Sequence, residues 1–134
     1  MDWSYKLVCY KESMLIKEFK FDIFPLRLWI CTIEHPSQLN AYFIDSDGDP
    51  LGLEVSKAAD CFVTEVCIKK RDGSYGVVVA KMENVKVPSK VFAHEACHVA
   101  DKLWKWISED TRGSEANAYV VEWVFDKIEK VYGL

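Results

Sequence analysis

Residues 88–107 read Pro88-Ser89-Lys90-Val91-Phe92-Ala93-His94-Glu95-Ala96-Cys97-His98-Val99-Ala100-Asp101-Lys102-Leu103-Trp104-Lys105-Trp106-Ile107. After a break over Ser108–Gly113 the chain continues Ser114-Glu115-Ala116-Asn117-Ala118-Tyr119-Val120-Val121-Glu122-Trp123 and on to Tyr132 and Gly133. Apolar residues recur at three- and four-residue intervals in both stretches, which is the helical period. Pro88 and Ser89 suit a first turn, and Gly133 follows the last periodic residue. Two helices are therefore expected, from Pro88 to about Ile107 and from Ser114 to Tyr132.

Working back toward the N-terminus, the pattern changes to strands. Cys61–Ile68 and Tyr75–Lys81 are β-rich runs joined through Arg71-Asp72-Gly73-Ser74, an Asp-Gly turn signal, and read as a hairpin. Leu26–Ile33 alternates and reads as a strand. Trp3–Tyr10 and Met14–Phe21 can pair as a further hairpin. Glu34–Asn40 contains Pro36 and reads as a loop, and Ala41–Ile44 is a short apolar piece of open type. Strands followed by helices give an α+β plan: an N-terminal, mostly antiparallel sheet carrying a helix pair. The 134 residues suit a single domain, 1–134, with no repeat or linker.

Composition narrows the function classes. Hydrophobic residues are 50% and charged residues 28%, which excludes disorder as a description of the whole chain. The net charge of −4 argues against a phosphate-backbone binder, so no nucleic-acid partner is expected. No apolar run approaches the length of a membrane span, so no membrane partner is expected. Met1-Asp2-Trp3-Ser4-Tyr5 lacks a basic region and apolar core, so the expected location is cytoplasmic. Cys9, Cys31, Cys61, Cys67 and Cys97 are an odd set with no C-x-x-C pair, which reads as reduced thiols packed in a core.

The chemistry lies in His94-Glu95-Ala96-Cys97-His98, an H-E-x-x-H pattern. Residues four apart share a helix face, so both imidazoles can reach one metal. Glu95 flanks that site, where it can take a proton from the attacking water. At 100° per residue, His94, His98 and Asp101 fall within about 60° of arc. Phe92, Ala96, Val99, Leu103 and Ile107 take the opposite face, with Glu95 on the boundary. A catalytic zinc takes three protein ligands and keeps one position open. Glu115, seventeen residues after His98, is the favoured third ligand. Asp101 is the alternative, or else a partner for an imidazole N–H. Tyr119 and Glu122 share the Glu115 face; Glu122 reads as support for the site or as a solvated residue. Cys97 reads as a small buried thiol, with a metal ligand as the other reading. His35 reads as a surface loop residue. Asp45-Ser46-Asp47-Gly48-Asp49-Pro50 is similar to a calcium loop, but glycine, proline and Ser56 fall at the wrong positions, so it reads as an acidic turn.

The segments Val91–Ala100 and Ser114–Tyr119 together resemble the small gluzincin-type zincins, HExxH metallopeptidases often encoded by phages and prophages. The resemblance implies a sheet, an active-site helix and a helix that supplies glutamate. It implies one Zn²⁺ per chain, held by His94, His98 and Glu115, with Glu95 as general base. It also implies a substrate peptide added to an edge strand before the first helix, for which Tyr75–Lys81 is the nearest candidate. Tyr119 is the candidate for steadying the transition state or supporting Glu115. The expected function is zinc-dependent hydrolysis of a peptide or protein. The alternatives are a zinc-bearing structural or interaction module, for example a phage virion or assembly component working with phage structural proteins, and a non-peptidase hydrolase.

Overall fold

The computed structural model describes residues 6–11, 14–20, 26–45, 47–51, 61–68, 75–83, 85–106 and 114–133. Strands β1 (Lys6–Lys11), β2 (Met14–Lys20), β3 (Arg27–Ile33), β4 (Phe43–Ile44), β5 (Cys61–Ile68) and β6 (Tyr75–Met82) precede helices α1 (Ser89–Trp106) and α2 (Ser114–Tyr132). The fold class is α+β, as the sequence implies. Ile107 and the expected turns at Arg71–Ser74 and Ser108–Gly113 lie outside the described residues.

The strands form one six-stranded sheet in the order β1-β2-β3-β6-β5-β4. Every neighbouring pair is antiparallel except β3 and β6, which run parallel from Arg27 opposite Gly76 to Ile33 opposite Met82. This corrects one expectation: Tyr75–Lys81 is not an edge. β6 is bonded on both sides, to β3 and to β5. The physical reason is in its composition. Val77-Val78-Val79-Ala80 is a continuous apolar run, and all four residues are buried, as a strand covered on both faces requires.

The two faces carry two cores. Phe19, Leu28, Ile30, Val77 and Val79 pack under the helices with Phe92, Ala96, Val99, Leu103, Val120, Val124 and Ile128. Ile16, Trp29, Cys31, Ile33, Val78 and Ala80 pack on the far side with Leu39, Phe43 and Leu51. On that side the Trp29 indole N–H donates to the buried Glu18 carboxylate at 2.8 Å, with the Arg27 Nε 3.5 Å from the same group.

The segment that covers the far face is ordered by its own side chains. Pro36–Ala41 forms a 3-10 helix where a loop is expected from the sequence. His35 caps it, with Nδ1 2.8 Å from the Ser37 hydroxyl. The Gln38 side chain accepts from the backbone N–H groups of Glu34 and His35 at 2.7 and 3.1 Å. His35 therefore has a local structural role. In the acidic turn, Asp45 Oδ1 accepts from the N–H groups of Asp47 and Asp49, both at 2.9 Å. That carboxylate closes the turn as an Asx cap does.

Candidate metal centre

Helix α1 separates core from chemistry by periodicity. Phe92, Ala96, Val99, Ala100 and Leu103 are buried against the sheet and α2, while Ala93, His94, Cys97, His98 and Asp101 face solvent. The exposed state of Cys97 corrects the reading of a buried thiol; it sits on the imidazole side of the helix, and the buried free cysteines described are Cys31 and Cys61.

The two imidazoles meet. His94 Nε2 and His98 Nε2 are 2.9 Å apart, and the rings stand edge to face at 84° with centroids 4.5 Å apart. Two ring-nitrogen lone pairs aimed at one point repel unless a proton or a cation lies between them. A tetrahedral zinc about 2.0–2.1 Å from each nitrogen would set them roughly 3.3 Å apart. Small rotations of two exposed rings supply that difference, so the pair fits a zinc ion.

Glu95 completes the cluster. Ligand atoms of His94, Glu95 and His98 all lie within 4.8 Å of one another. Glu95 is only 8% exposed, whereas both histidines are open to solvent. Burial pushes its carboxyl above the usual carboxylate value, and the neighbouring His98 and His94 pull it partly back. A carboxylate held this way binds a proton more firmly than one in water, a useful property in a general base.

The other sequence candidates are not part of this three-residue group. Asp101 and Glu122 are exposed, and Tyr119 is 63% exposed, the one large hydrophobic residue so exposed among the described residues. Glu115 is exposed on the first turn of α2 and does not join the His94–Glu95–His98 group. The packing explains its position. Tyr132 near the end of α2 stacks on Phe92 near the start of α1. Counted from that contact, Glu115 lies ~25 Å along α2 and His98 ~9 Å along α1, at 1.5 Å per residue.

Tyr132 has a positioning role that periodicity alone marks only as apolar. Its hydroxyl donates to the Cys31 carbonyl at 2.6 Å, which ties α2 to the centre of the sheet. A tyrosine one residue before a helix-ending glycine is a weak signal for this, since it says nothing about the partner.

No family model, no curated protein and no solved structure matches this chain. Among the described residues, no helix is long and apolar enough to cross a membrane.

Proposed function

We propose that this protein is a zinc-dependent peptidase of zincin type. The observation that carries the reading is the His94–His98 pair, Nε2 atoms 2.9 Å apart on an exposed helix face, with the buried Glu95 carboxyl beside it. His94 and His98 hold the metal through Nε2, and Glu115, carried on the first turn of α2, is proposed as the third ligand. When bound, zinc supplies a Lewis acid that polarises the scissile carbonyl and acidifies water. Glu95 takes the proton from the attacking water and later gives it to the leaving nitrogen. Its upward-shifted carboxyl suits both halves of that transfer.

The substrate strand is assigned to β5 rather than β6. On its outer side, among the described residues, β5 is paired only at Cys67 and Ile68, with Ile44 and Phe43 of β4. The backbone from Cys61 to Val66 faces no other described strand there, and β5 packs beside α1. An extended peptide bonded to this edge would run next to the helix that carries Glu95.

One observation favours a second reading. Glu115 stands outside the cluster, so a zinc-bearing interaction module without turnover has the same imidazole pair and needs no catalytic third carboxylate. Metal analysis of the purified chain followed by a peptide-library cleavage assay separates the two. The peptidase reading expects about one zinc per chain and cleavage that a chelator abolishes. Zinc without cleavage of any peptide selects the module; no zinc uptake removes both.

A further inference from the structure

Beneath the start of α1, on the side away from His94 and His98, lies a groove of about 400 Å³. Val85, Val87, Phe92 and Tyr132 form an apolar wall, and Lys81 and Lys86 supply the only charged side chains among the described lining residues. Phe92 and Tyr132 are stacked 5.1 Å apart, so the floor is a rigid aromatic pair. The Lys81 ammonium lies 5.7 Å from the Tyr132 ring centre and donates to the Met82 carbonyl at 3.0 Å. An ammonium has three protons, so that bond leaves others for a ligand.

Charge decides what such a groove accepts. Two helix ends adjoin it, the start of α1 and the end of α2 at Gly133. Their half-charges are opposite in sign and offset one another. No acidic residue occupies the first turn of α1. The two ammonium groups then dominate, in a chain whose net charge is −4. We propose that this groove binds a small organic monoanion, a carboxylate carried on an apolar body. The body lies on Phe92 and the valines, and the carboxylate meets Lys81 and Lys86. This site is separate from the histidine cluster and does not rest on the zinc reading.

The test is an amide-resolved NMR titration of the full chain with 4-phenylbutyrate and with its uncharged amide, in chelator and again with zinc added. The acid is expected to shift the amides of Val85, Lys86, Val87 and Gly133 and to bind at least ~5-fold tighter than the amide, the scale of two partly screened ion pairs. Lys86→Gln, on an exposed side chain, should remove most of that preference while leaving amide affinity unchanged. Lys81→Gln should act in the same direction. Titration with N-acetyl-Leu-Phe bearing a free C-terminus identifies the source: tighter binding than phenylbutyrate assigns a peptide end, weaker binding a free acid, and either supports the carboxylate chemistry. Equal binding of acid and amide, shifts confined to other residues, or a preference retained in both lysine variants would overturn the proposal. Binding that appears only with zinc would transfer the ligand to His94 and His98 and overturn it too.

Discussion

The rings of Phe92 and Tyr132 stack with centroids 5.1 Å apart and planes 24° from parallel, joining the start of α1 to the end of α2. The Tyr132 hydroxyl continues the contact into the sheet by donating to Cys31. One side chain thus couples three elements, the start of α1, the end of α2 and the sheet.

Tyr132→Phe keeps the stack and removes the hydrogen bond, so it is expected to cost about 1–2 kcal/mol. Burial pushes the Tyr132 hydroxyl well above its ordinary value near 10. Its contribution is therefore complete below the unfolded-state value and is lost as pH rises through alkaline conditions. Urea midpoints at pH 8 and 10.5 check this. The wild-type protein should lose more stability between the two than Tyr132→Phe does, and parallel losses would refute the coupling.

For the metal centre, His94→Ala leaves one imidazole of a facing pair. Zinc content should fall from about one per chain to near zero, and the zinc-dependent rise in melting temperature should vanish with it. Inductively coupled plasma analysis and thermal melts read both effects. Zinc retained in full by His94→Ala would mean that the ion binds elsewhere.

Glu95→Gln preserves shape and removes the base. If the peptidase reading holds, the rate drops at least ~10²-fold while zinc binding remains. The same variant has a stability signature. The Glu95 carboxyl is raised, so its favourable share is present at low pH and is lost as pH rises past the ordinary carboxylate range. In chelator, Glu95→Gln should therefore melt higher than wild type at pH 7 and no higher at pH 3.5. A lower melting temperature at pH 7 would contradict the desolvation argument.

The third ligand is tested by comparing Glu115→Ala with Asp101→Ala in a competition titration against a zinc chelator. Loss of a direct ligand should exceed the ~10- to 100-fold cost of losing a group that only orients an imidazole. Glu115→Ala is expected to show the larger loss. A larger loss for Asp101→Ala would reassign the ligand to the helix that already holds the histidines.

Gly76 sits opposite Arg27 where β6 meets β3 in parallel. A Cβ added there would strike the Arg27 carbonyl oxygen and stand 2.8 Å from the Trp29 ring. Backbone cannot yield as a flexible side chain does, so Gly76→Ala should destabilise by about 3 kcal/mol. Denaturant midpoints measure it; a change below about 0.5 kcal/mol would show that the strands separate at little cost.

Legibility in the sequence followed the strength of the local signal. α2 runs from Ser114 to Tyr132, and its end was legible because Gly133, at φ 75°, follows the last helical residue. The His94–His98 meeting follows from four-residue spacing alone. The place of β6 did not, because hairpin pairing with β5 is local whereas its bond to β3 spans the chain. Val77–Ala80 carried the clue in its unbroken apolar run. Pro36–Ala41 was hidden because its helical turn depends on the His35 and Gln38 side chains rather than on apolar period. The relation of Glu115 to the histidines depends on how two helices cross, which no spacing within either helix encodes.

The parallel contact of β3 with β6 also sets a schedule for folding. Its residue pairs are about fifty positions apart, so the centre of the sheet cannot close until β6 has been synthesised. The β2–β3 and β5–β6 units can form early from nearby chain, but each leaves an apolar edge waiting for the other. The helices emerge after all six strands and need the closed sheet as their base. High contact order of this kind slows the search and lengthens the time that unpaired edges are exposed. Refolding from denaturant should therefore be slow relative to helical proteins of this size, and a chain cut before Ser89 should aggregate through those edges rather than remain a stable sheet.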